Sequence, residues 1–573
     1  MGISALYHDS AVVLLRDGVV FAAAQEERFS RIKHDRALPV RAAQWCFDEA
    51  GITSADLEAL VYYEKPLKKF ERILSTLVAT YPFSWRNFVR GMHAWLSDKL
   101  WLKNTLVTRF QIEPDRVLFS EHHLSHAASA FFASPFAEAD VLAIDGVGEH
   151  ATTSLWRGRS EAPHLESVAE IHYPHSIGML YSTLTAFLGF VVNEGEYKVM
   201  GMSPFGEPVY ADKIRKLIEL HDDGGFSLNL EYFAFTHHPT QPYTSKLIDL
   251  LGEPRFPGAE FTPGQPESQH YANVAASLQA VTEEALLHLV KHAHRTLGGK
   301  NLCLAGGVSL NSVANQRIAR ESPYEQLWIQ PAAGDAGGAL GAALWAWRTI
   351  VGGEDRFTLQ RCDLGRSWDR EAVRGVLTDL GLEFEDLGSV EESVARAADE
   401  LAAGGVVGWF QGRFEWGPRA LGHRSILADP RTVEMRDRVN ARIKFREAFR
   451  PFAPSVLTEH ADDWFDIPDP LRMSMHYMMA TVPVREERRA QIPATTHVDG
   501  SARAQLVDAE KQPVFHQLLS AFHERTSVPV LLNTSFNLRG EPIVSGPIDA
   551  VATLLRSELD ALYIEGFRVI RLQ

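Results

Sequence analysis

The chain has 573 residues, 45% of them hydrophobic and 23% charged, enough for two or three domains with substantial cores. Its formal charge of −16, from 57 Lys and Arg against 73 Asp and Glu, repels polyanions and argues against a nucleic-acid substrate. No apolar run approaches the ~20 residues of a bilayer span, no basic leader opens the chain, and Cys46, Cys303 and Cys362 lie too far apart for a disulfide framework or a thiolate zinc cluster, so a cytoplasmic protein with no membrane partner is expected.

In chain order, residues 2–7 predict a short strand, His8-Asp9-Ser10 a turn, 11–15 a second strand, Arg16-Asp17-Gly18 a hairpin turn and 19–24 a third strand. After the charged run Glu26-Glu27-Arg28-Phe29-Ser30-Arg31-Ile32-Lys33-His34, a helix is expected over 40–50 and a strand over 57–63. Residues 64–112 are basic, aromatic and helical in pattern, with Trp85, Trp95 and Trp101. They predict an inserted helical layer over a sheet; the alternatives are a face for an acceptor, a partner or a membrane surface.

Next come His122 and His126, four residues apart in an Ala-rich run that favours helix, so that both imidazoles project from one face while His123 points elsewhere. Asp145 ends the apolar strand Val-Leu-Ala-Ile and opens a Gly146-Val147-Gly148 turn, where bare backbone N–H groups can approach an anion. Two neutral nitrogens and a carboxylate suit a divalent ion that also touches phosphate. The strand-turn-strand of residues 2–15 recurs at 141–155, and two facing hairpins of this kind are how actin-like folds clasp nucleotide phosphates.

The run 193–206, punctuated by Gly195, Gly201 and Gly206, predicts loops; residues 223–265 predict irregular chain, with the pair His237-His238 on the surface. A long helix over 271–297 leads to a buried strand at 302–304. The stretch Ala305-Gly306-Gly307-Val308-Ser309-Leu310-Asn311 places glycines between strand and helix, where a nucleotide can lie against backbone. After a strand over 325–329, Asp335 stands at a Gly-rich helix start, positioned as a fourth metal ligand.

Composition turns Gly-rich and charged over 351–366, the expected boundary, and a helix and a strand over 406–410 follow. Beyond them Arg419, Lys444, Arg446, Arg450, Arg503, Asn533, Ser535 and Asn537 lie among Gly, Pro and aromatic residues. Guanidiniums in such surroundings suit the bidentate holding of phosphate or carboxylate better than they suit a solvated face, and predict a small cationic pocket.

Tyr7-His8-Asp9-Ser10, Glu26-Glu27-Arg28-Phe29, His122-His123-Leu124-Ser125-His126, Gly417-Pro418-Arg419-Ala420-Leu421-Gly422 and Asn533-Thr534-Ser535-Phe536-Asn537 together resemble the O-carbamoyltransferases of antibiotic, toxin and nodulation-factor biosynthesis, over essentially the whole chain. The resemblance implies an α/β protein of two modules: an actin-like (ASKHA) duplicated fold over 1–352, similar to the metal-dependent transferase of tRNA threonylcarbamoylation, and a YrdC-like adenylating module over 353–573. It implies ATP and carbamoyl phosphate as substrates, a hydroxyl of a small secondary metabolite as acceptor, and a divalent metal, iron(II) or else manganese or magnesium. Arg419, Arg450, Arg503 and Asn533 would hold carbamoyl phosphate, and Lys444, Arg446, Ser535 and Asn537 would hold ATP. His122, His126, Asp145 and Asp335 would bind the metal. Gly306, Gly307 and Asn311 would seat the adenosine with Lys33 on its phosphate, and His8, with an ordinary pKa near ~6.5, would be the general base. The chain departs from the family pattern in starting almost directly on its first strand; further residues ahead of it would lengthen that strand and leave the motifs untouched. A homodimer is left open. A tRNA-modifying enzyme and a non-enzymatic nucleotide-binding scaffold are the competing expectations, the first disfavoured by the acidic charge and the second by the arginines.

Overall fold

In the computed structural model the chain is described from Met1 to Arg571, apart from Asp98, Pro239 and Ala448. Pro239 follows the histidine pair, and Ala448 sits inside the arginine-rich run; both lie outside the described residues. The architecture is mixed α/β and built on three main sheets.

The first sheet has strands β1 (Gly2–Ser4), β2 (Ala11–Arg16), β3 (Val19–Gln25), β4 (Leu60–Tyr62) and β5 (Val117–Phe119) in the order β3-β2-β1-β4-β5. Two hairpins pair β1, β2 and β3 antiparallel, and β1, β4 and β5 run parallel. β1 stops at Ser4, short of the expected residue 7, because Leu6 turns into the left-handed region with φ 71°. The second sheet contains β6 (Glu138–Ile144), β7 (Ala151–Arg159) and β8 (Leu165–His172). After the small hairpin of β9 (Ile218–Leu220) and β10 (Phe226–Leu228) it is completed by β11 (Asn301–Ala305) and β12 (Gln326–Ile329). Its order is β12-β11-β6-β7-β8, antiparallel across β6, β7 and β8 and parallel across β6, β11 and β12. The two sheets therefore use one topology twice.

The helices His122–Phe131 and Asp335–Ala346 pack against each other. Eight of the twelve residues of Asp335–Ala346 are Ala or Gly, as suits a helix packed against neighbours on most of its sides. Gly341 lies so close to the Ser125 carbonyl that a Cβ would overlap it, which lets the two backbones touch.

The expected layer over 64–112 consists of the helices Pro66–Ala79, Trp85–Ser97 and Leu102–Phe110; Leu102, Leu106 and Phe110 face the core, whereas Trp85 and Trp101 are 57% and 59% exposed. Two expectations need correction. Residues 223–265 are not irregular throughout, because Phe226 and Leu228 alternate inward to make β10 and the helix Ser245–Leu251 follows. The long helix begins at Pro266 rather than 271, with proline in its first turn, where the missing N–H costs nothing.

A stretch without regular structure runs from 352 to 369. Beyond it lie β13 (Phe384–Asp386), β14 (Val406–Phe410), β15 (Arg424–Ala428), β16 (Ala453–Leu457), the short pair β17 (Val482–Pro483) and β18 (Ser501–Ala502), then β19 (Gln505–Val507), β20 (Val530–Ser535), β21 (Ala561–Ile564) and β22 (Phe567–Ile570). The third sheet runs β13-β22-β21-β14-β15-β20-β16-β19. One hydrophobic cluster spans the second and third sheets, including Val141, Leu304, Trp409 and Val456. Cys46, Cys303 and Cys362 are all buried thiols, and among the described residues no helix is long and apolar enough to cross a membrane.

At Gly306 φ is +88° and a Cβ would overlap the Ile144 carbonyl. Gly306→Ala should therefore destabilise by about 3 kcal/mol or more, read as a lower urea midpoint. Gly375→Ala, in the helix Arg370–Asp379 with nothing near its added methyl, should instead stabilise by up to ~1 kcal/mol.

Candidate active site

Four side chains meet between the first two sheets. His122 and His126 stand one turn apart on the helix that follows β5; Asp145 follows the end of β6; and Asp335 opens the helix that follows β12. The Nε2 atoms of His122 and His126 are 3.1 Å apart. His122 Nε2 lies 3.0 Å from Asp145 Oδ2 and 3.7 Å from Asp335 Oδ1, and His126 Nε2 lies 3.6 Å from each of the same two oxygens. Donors ~2.1 Å from a shared divalent ion stand ~3.0–3.5 Å apart, so this is the spacing of a coordination shell. Asp335 Oδ1 is buried without a hydrogen-bond partner, as an acceptor reserved for a cation would be. His123 turns away, its Nδ1 2.8 Å from Ser154 Oγ.

The surroundings brace these groups. Tyr63 donates its hydroxyl to Asp335 Oδ2 at 3.2 Å, Gly307 N–H donates to Asp145 Oδ1 at 3.1 Å, and Glu149 accepts the His122 N–H at 3.0 Å. Glu64 Oε2 stands 3.7 Å from His122 Nδ1. Burial works against charge on His122 and His126, yet contact with Asp145 and Asp335 overrides it and lifts both rings above the usual histidine range, His122 well above. The same contacts hold Asp145 well below the usual carboxylate range against its own burial, and Asp335 below it. His8 sits in the β1–β2 turn, the counterpart of the β6–β7 turn after Asp145, with Nε2 3.9 Å from Asp335 Oδ2. Its pKa is not the ordinary one expected: burial opposes charge, but Asp335 and Asp9 push the pKa up to about 9.

A second group lies on the third sheet. Arg419 comes from the β14–β15 connection, Lys444, Arg446 and Arg450 precede β16, Arg503 lies between β18 and β19, and Asn533 and Ser535 sit on β20 with Asn537 just beyond. Lys444 ends a π-helical turn, Val439–Lys444, an irregularity frequent at functional sites. Its Nζ donates to Asn537 Oδ1 at 2.6 Å and to the Ser535 carbonyl at 2.7 Å. Among the described residues no carboxylate pairs with Arg419, Arg446 or Arg503, and Nε of Arg419 and of Arg503 is buried without a partner. Burial, with like charges added at Lys444, Arg446 and Arg503, drives these three well below their usual pKa, and burial lowers Arg419 to about 10. Asn533 donates to Ser455 Oγ at 2.9 Å and leaves Oδ1 buried and unpaired.

One cavity of about 700 Å³ runs from Asp145 to the second group, with His122, His126 and Asp335 buried behind its wall. His8, Asp145, Gly307 and Asn311 line one end, and Arg419, Lys444, Arg446, Arg450, Arg503, Asn533, Ser535 and Asn537 the other. Lys33 lines it too, its Nζ 2.6 Å from Glu194 Oε1. Gly306 does not reach the wall; it is the close-packed residue behind Gly307.

Residues 1–344 match the family of the carbamoyltransferase N-terminus and residues 398–571 that of the carbamoyltransferase C-terminus. The chain belongs to the carbamoyltransferase family. An uncharacterized Synechocystis protein is 46% identical to it, over 99% of this chain and 96% of that one. The nodulation protein NolNO of Sinorhizobium fredii is 39% identical over 98% and 79%. The 3'-hydroxymethylcephem-O-carbamoyltransferase of Streptomyces clavuligerus is 36% identical over 48% of this chain and 50% of its own. Among solved structures, HypF of T. kodakarensis overlays 61% of this chain and 48% of its own at 14% identity with a TM-score of 0.29, too slight a likeness to argue from.

In this carbamoyltransferase several site residues have no local signature. The adjacent pair Tyr63-Glu64 and, far along the chain, Glu149 stand around the His122 cluster with no motif to mark them in sequence. Tyr197 and Lys198 line the cavity from the helix Glu196–Met202, where the glycines of the run suggested loops. Asp9 and His34, inside quoted motifs, carry a geometry that spacing could not show: both reach the cavity, with one Asp9 oxygen on each of His8 and His34.

Unpaired like charges in a pocket destabilise the empty protein. Arg503→Met should raise thermal stability by ~1–2 kcal/mol in plain buffer and abolish any stabilisation of the unaltered chain by inorganic phosphate, both read by thermal denaturation. A phosphate-dependent rise that survives Arg503→Met would place the anion elsewhere.

Proposed function

We propose that this enzyme is an ATP-dependent O-carbamoyltransferase that joins the carbamoyl group of carbamoyl phosphate to AMP and then passes it to a hydroxyl of a small secondary metabolite. One cavity, with unpaired cations at one end and His8 and Asp145 at the other, is the observation that carries this reading. A labile intermediate is well served by two chemistries in one chamber, and carbamoyl-adenylate is such an intermediate. The name of the Streptomyces relative, a hydroxymethylcephem O-carbamoyltransferase, supports an oxygen acceptor. The repeated five-strand order supports an actin-like first module, and the meeting of Lys444, Ser535 and Asn537 supports a YrdC-like second one.

At the cationic end, Arg419, Arg450, Arg503 and Asn533 hold carbamoyl phosphate, and Lys444, Arg446, Ser535 and Asn537 hold the triphosphate of ATP. Water cleaves carbamoyl phosphate to carbamate and phosphate, a carbamate oxygen then bonds to the α-phosphorus of ATP, and pyrophosphate departs as that bond forms, its growing charge met by the fixed guanidiniums. Gly307 and Asn311 seat the adenosine, and Lys33 exchanges Glu194 for the adenylate phosphate. His122, His126, Asp145 and Asp335 would hold a divalent ion, iron(II) or alternatively manganese or magnesium, which fits two imidazoles and two carboxylates and supplies positive charge beside the leaving AMP. Charge on Asp335 and Asp9 is what raises His8; the ion would offset the Asp335 share, Asp9 stays in place, and the neutral His8 ring takes the acceptor's proton. The hydroxyl oxygen bonds to the carbamoyl carbon as the bond to AMP breaks.

With ATP, carbamoyl phosphate and iron(II) but no acceptor, the enzyme should release pyrophosphate. Arg419→Ala should lose both this release and transfer, whereas His126→Ala should lose transfer and keep adenylate formation. Release that required threonine and bicarbonate would point to tRNA modification instead. Because Asp145 and Asp335 favour protonated His122 and His126, an incoming ion must displace protons. Manganese affinity should accordingly rise with pH through and above the usual histidine range, and calorimetry in buffers of different ionisation enthalpy should register proton release. A pH-independent affinity would remove the ion from these four residues.

A further inference from the structure

His8, Asp9 and His34 form a line of side chains running out from the acid–histidine group. Asp9 places one carboxylate oxygen 3.1 Å from His8 Nδ1 and the other 2.7 Å from His34 Nδ1. An ionised carboxylate only accepts hydrogen bonds, so both Nδ1 atoms carry hydrogen. A neutral His8 ring then has its lone pair on Nε2, the atom that faces Asp335 at 3.9 Å. The opposite tautomer would press a lone pair against Asp9 at 3.1 Å, well inside the 3.9 Å at which Asp335 stands from Nε2.

The backbone is arranged to hold this line. Asp9 and His34 both adopt left-handed φ, 51° and 54°, which for non-glycine residues persists only where neighbours enforce it. Main-chain bonds Ser10 N–H to Asp35 O at 2.9 Å and Leu6 N–H to Arg36 O at 2.8 Å tie the turn to the segment that carries His34. The His34 N–H donates to Glu27 Oε2 at 3.0 Å.

We infer that Asp9 and His34 are positioning residues for carbamoyl transfer: Asp9 locks His8 in the tautomer whose Nε2 accepts the hydroxyl proton, and His34 locks Asp9. This rests on His8 acting as the base proposed above. As the new C–O bond forms and the bond to AMP breaks, the hydroxyl proton moves to His8 Nε2 while the Nδ1 proton stays between His8 and Asp9. The imidazolium so formed lies beside a carboxylate that offsets its charge, and it returns its proton to solvent after AMP leaves. In serine-protease triads the carboxylate that fixes a histidine tautomer in this way is worth ~10⁴ in turnover.

The test uses the full chain with ATP, carbamoyl phosphate, manganese and water as the only acceptor, comparing AMP release with pyrophosphate release. Asp9→Asn should lower the ratio of AMP to pyrophosphate release by ~10²-fold or more. His34→Ala should lower it by about 10-fold, and His34→Asn, whose amide N–H can stand where Nδ1–H stood, should restore most of it. In a His8→Ala background, Asp9→Asn should add nothing. An unchanged ratio in Asp9→Asn, or losses that add in the double variant, would overturn the inference. Should the unaltered chain release no pyrophosphate, the carbamoyl-adenylate reading fails, and proton NMR of the nucleotide-free protein still decides the geometry. Downfield imidazole N–H resonances that vanish singly in His8→Gln and His34→Gln should both vanish in Asp9→Asn, and their persistence there would overturn it.

Discussion

The backbone contact between the helices His122–Phe131 and Asp335–Ala346 is the constraint on which the site depends. A helix so rich in alanine and glycine presents almost no side-chain bulk, and at Gly341 the two backbones meet with no room for a Cβ. Each helix follows a strand of a different sheet, so their contact is also the contact of the two repeats. Any wider separation would draw Asp335 away from His122 and His126, since a coordination shell tolerates displacements of only a few tenths of an ångström.

The second constraint is electrostatic and works in the opposite sense. Among the described residues Arg419, Arg446 and Arg503 line the cavity with no carboxylate within ion-pair distance of them, which raises the energy of the empty protein. The rest of the structure carries that cost. Arg28, buried beneath the cavity, donates to Gly417 O at 3.1 Å and Ile543 O at 3.4 Å, and Arg31 donates to Ile543 O at 2.7 Å. These bonds fasten the segment after β3 to the loops of the third sheet, so the chamber keeps its shape while its charges repel. Keeping the cations at one end and the acids with histidines at the other also prevents the two groups from neutralising each other.

Local features were legible to the degree that local chemistry creates them. The i, i+4 spacing of His122 and His126 dictates a shared helix face whatever surrounds it, and the two hairpin turns at His8 and Asp145 follow from turn residues between apolar runs. The arginines among glycines and aromatics marked a pocket because a solvated face has no use for that setting. Arg28 and Arg31 were not legible in this way: in sequence they belong to an ordinary charged run, and only their carbonyl partners some 500 residues onward give them a role. Lys33 likewise shows no sign in sequence of its ion pair with Glu194.

From the sequence alone came the family resemblance, the α/β character, the strand-turn-strand repeat and the residue types able to bind a divalent ion and phosphate, because these depend on spacing within a few residues or on composition. Tertiary structure alone decided that His122, His126, Asp145 and Asp335 meet, that one cavity runs from Asp145 to the arginines, that Gly306 packs while Gly307 lines, and that Asp9 lies between two histidines. It also decided the charge on His8, since an imidazole's pKa is set by burial and by the carboxylates facing it, and neither is a property of its neighbours along the chain.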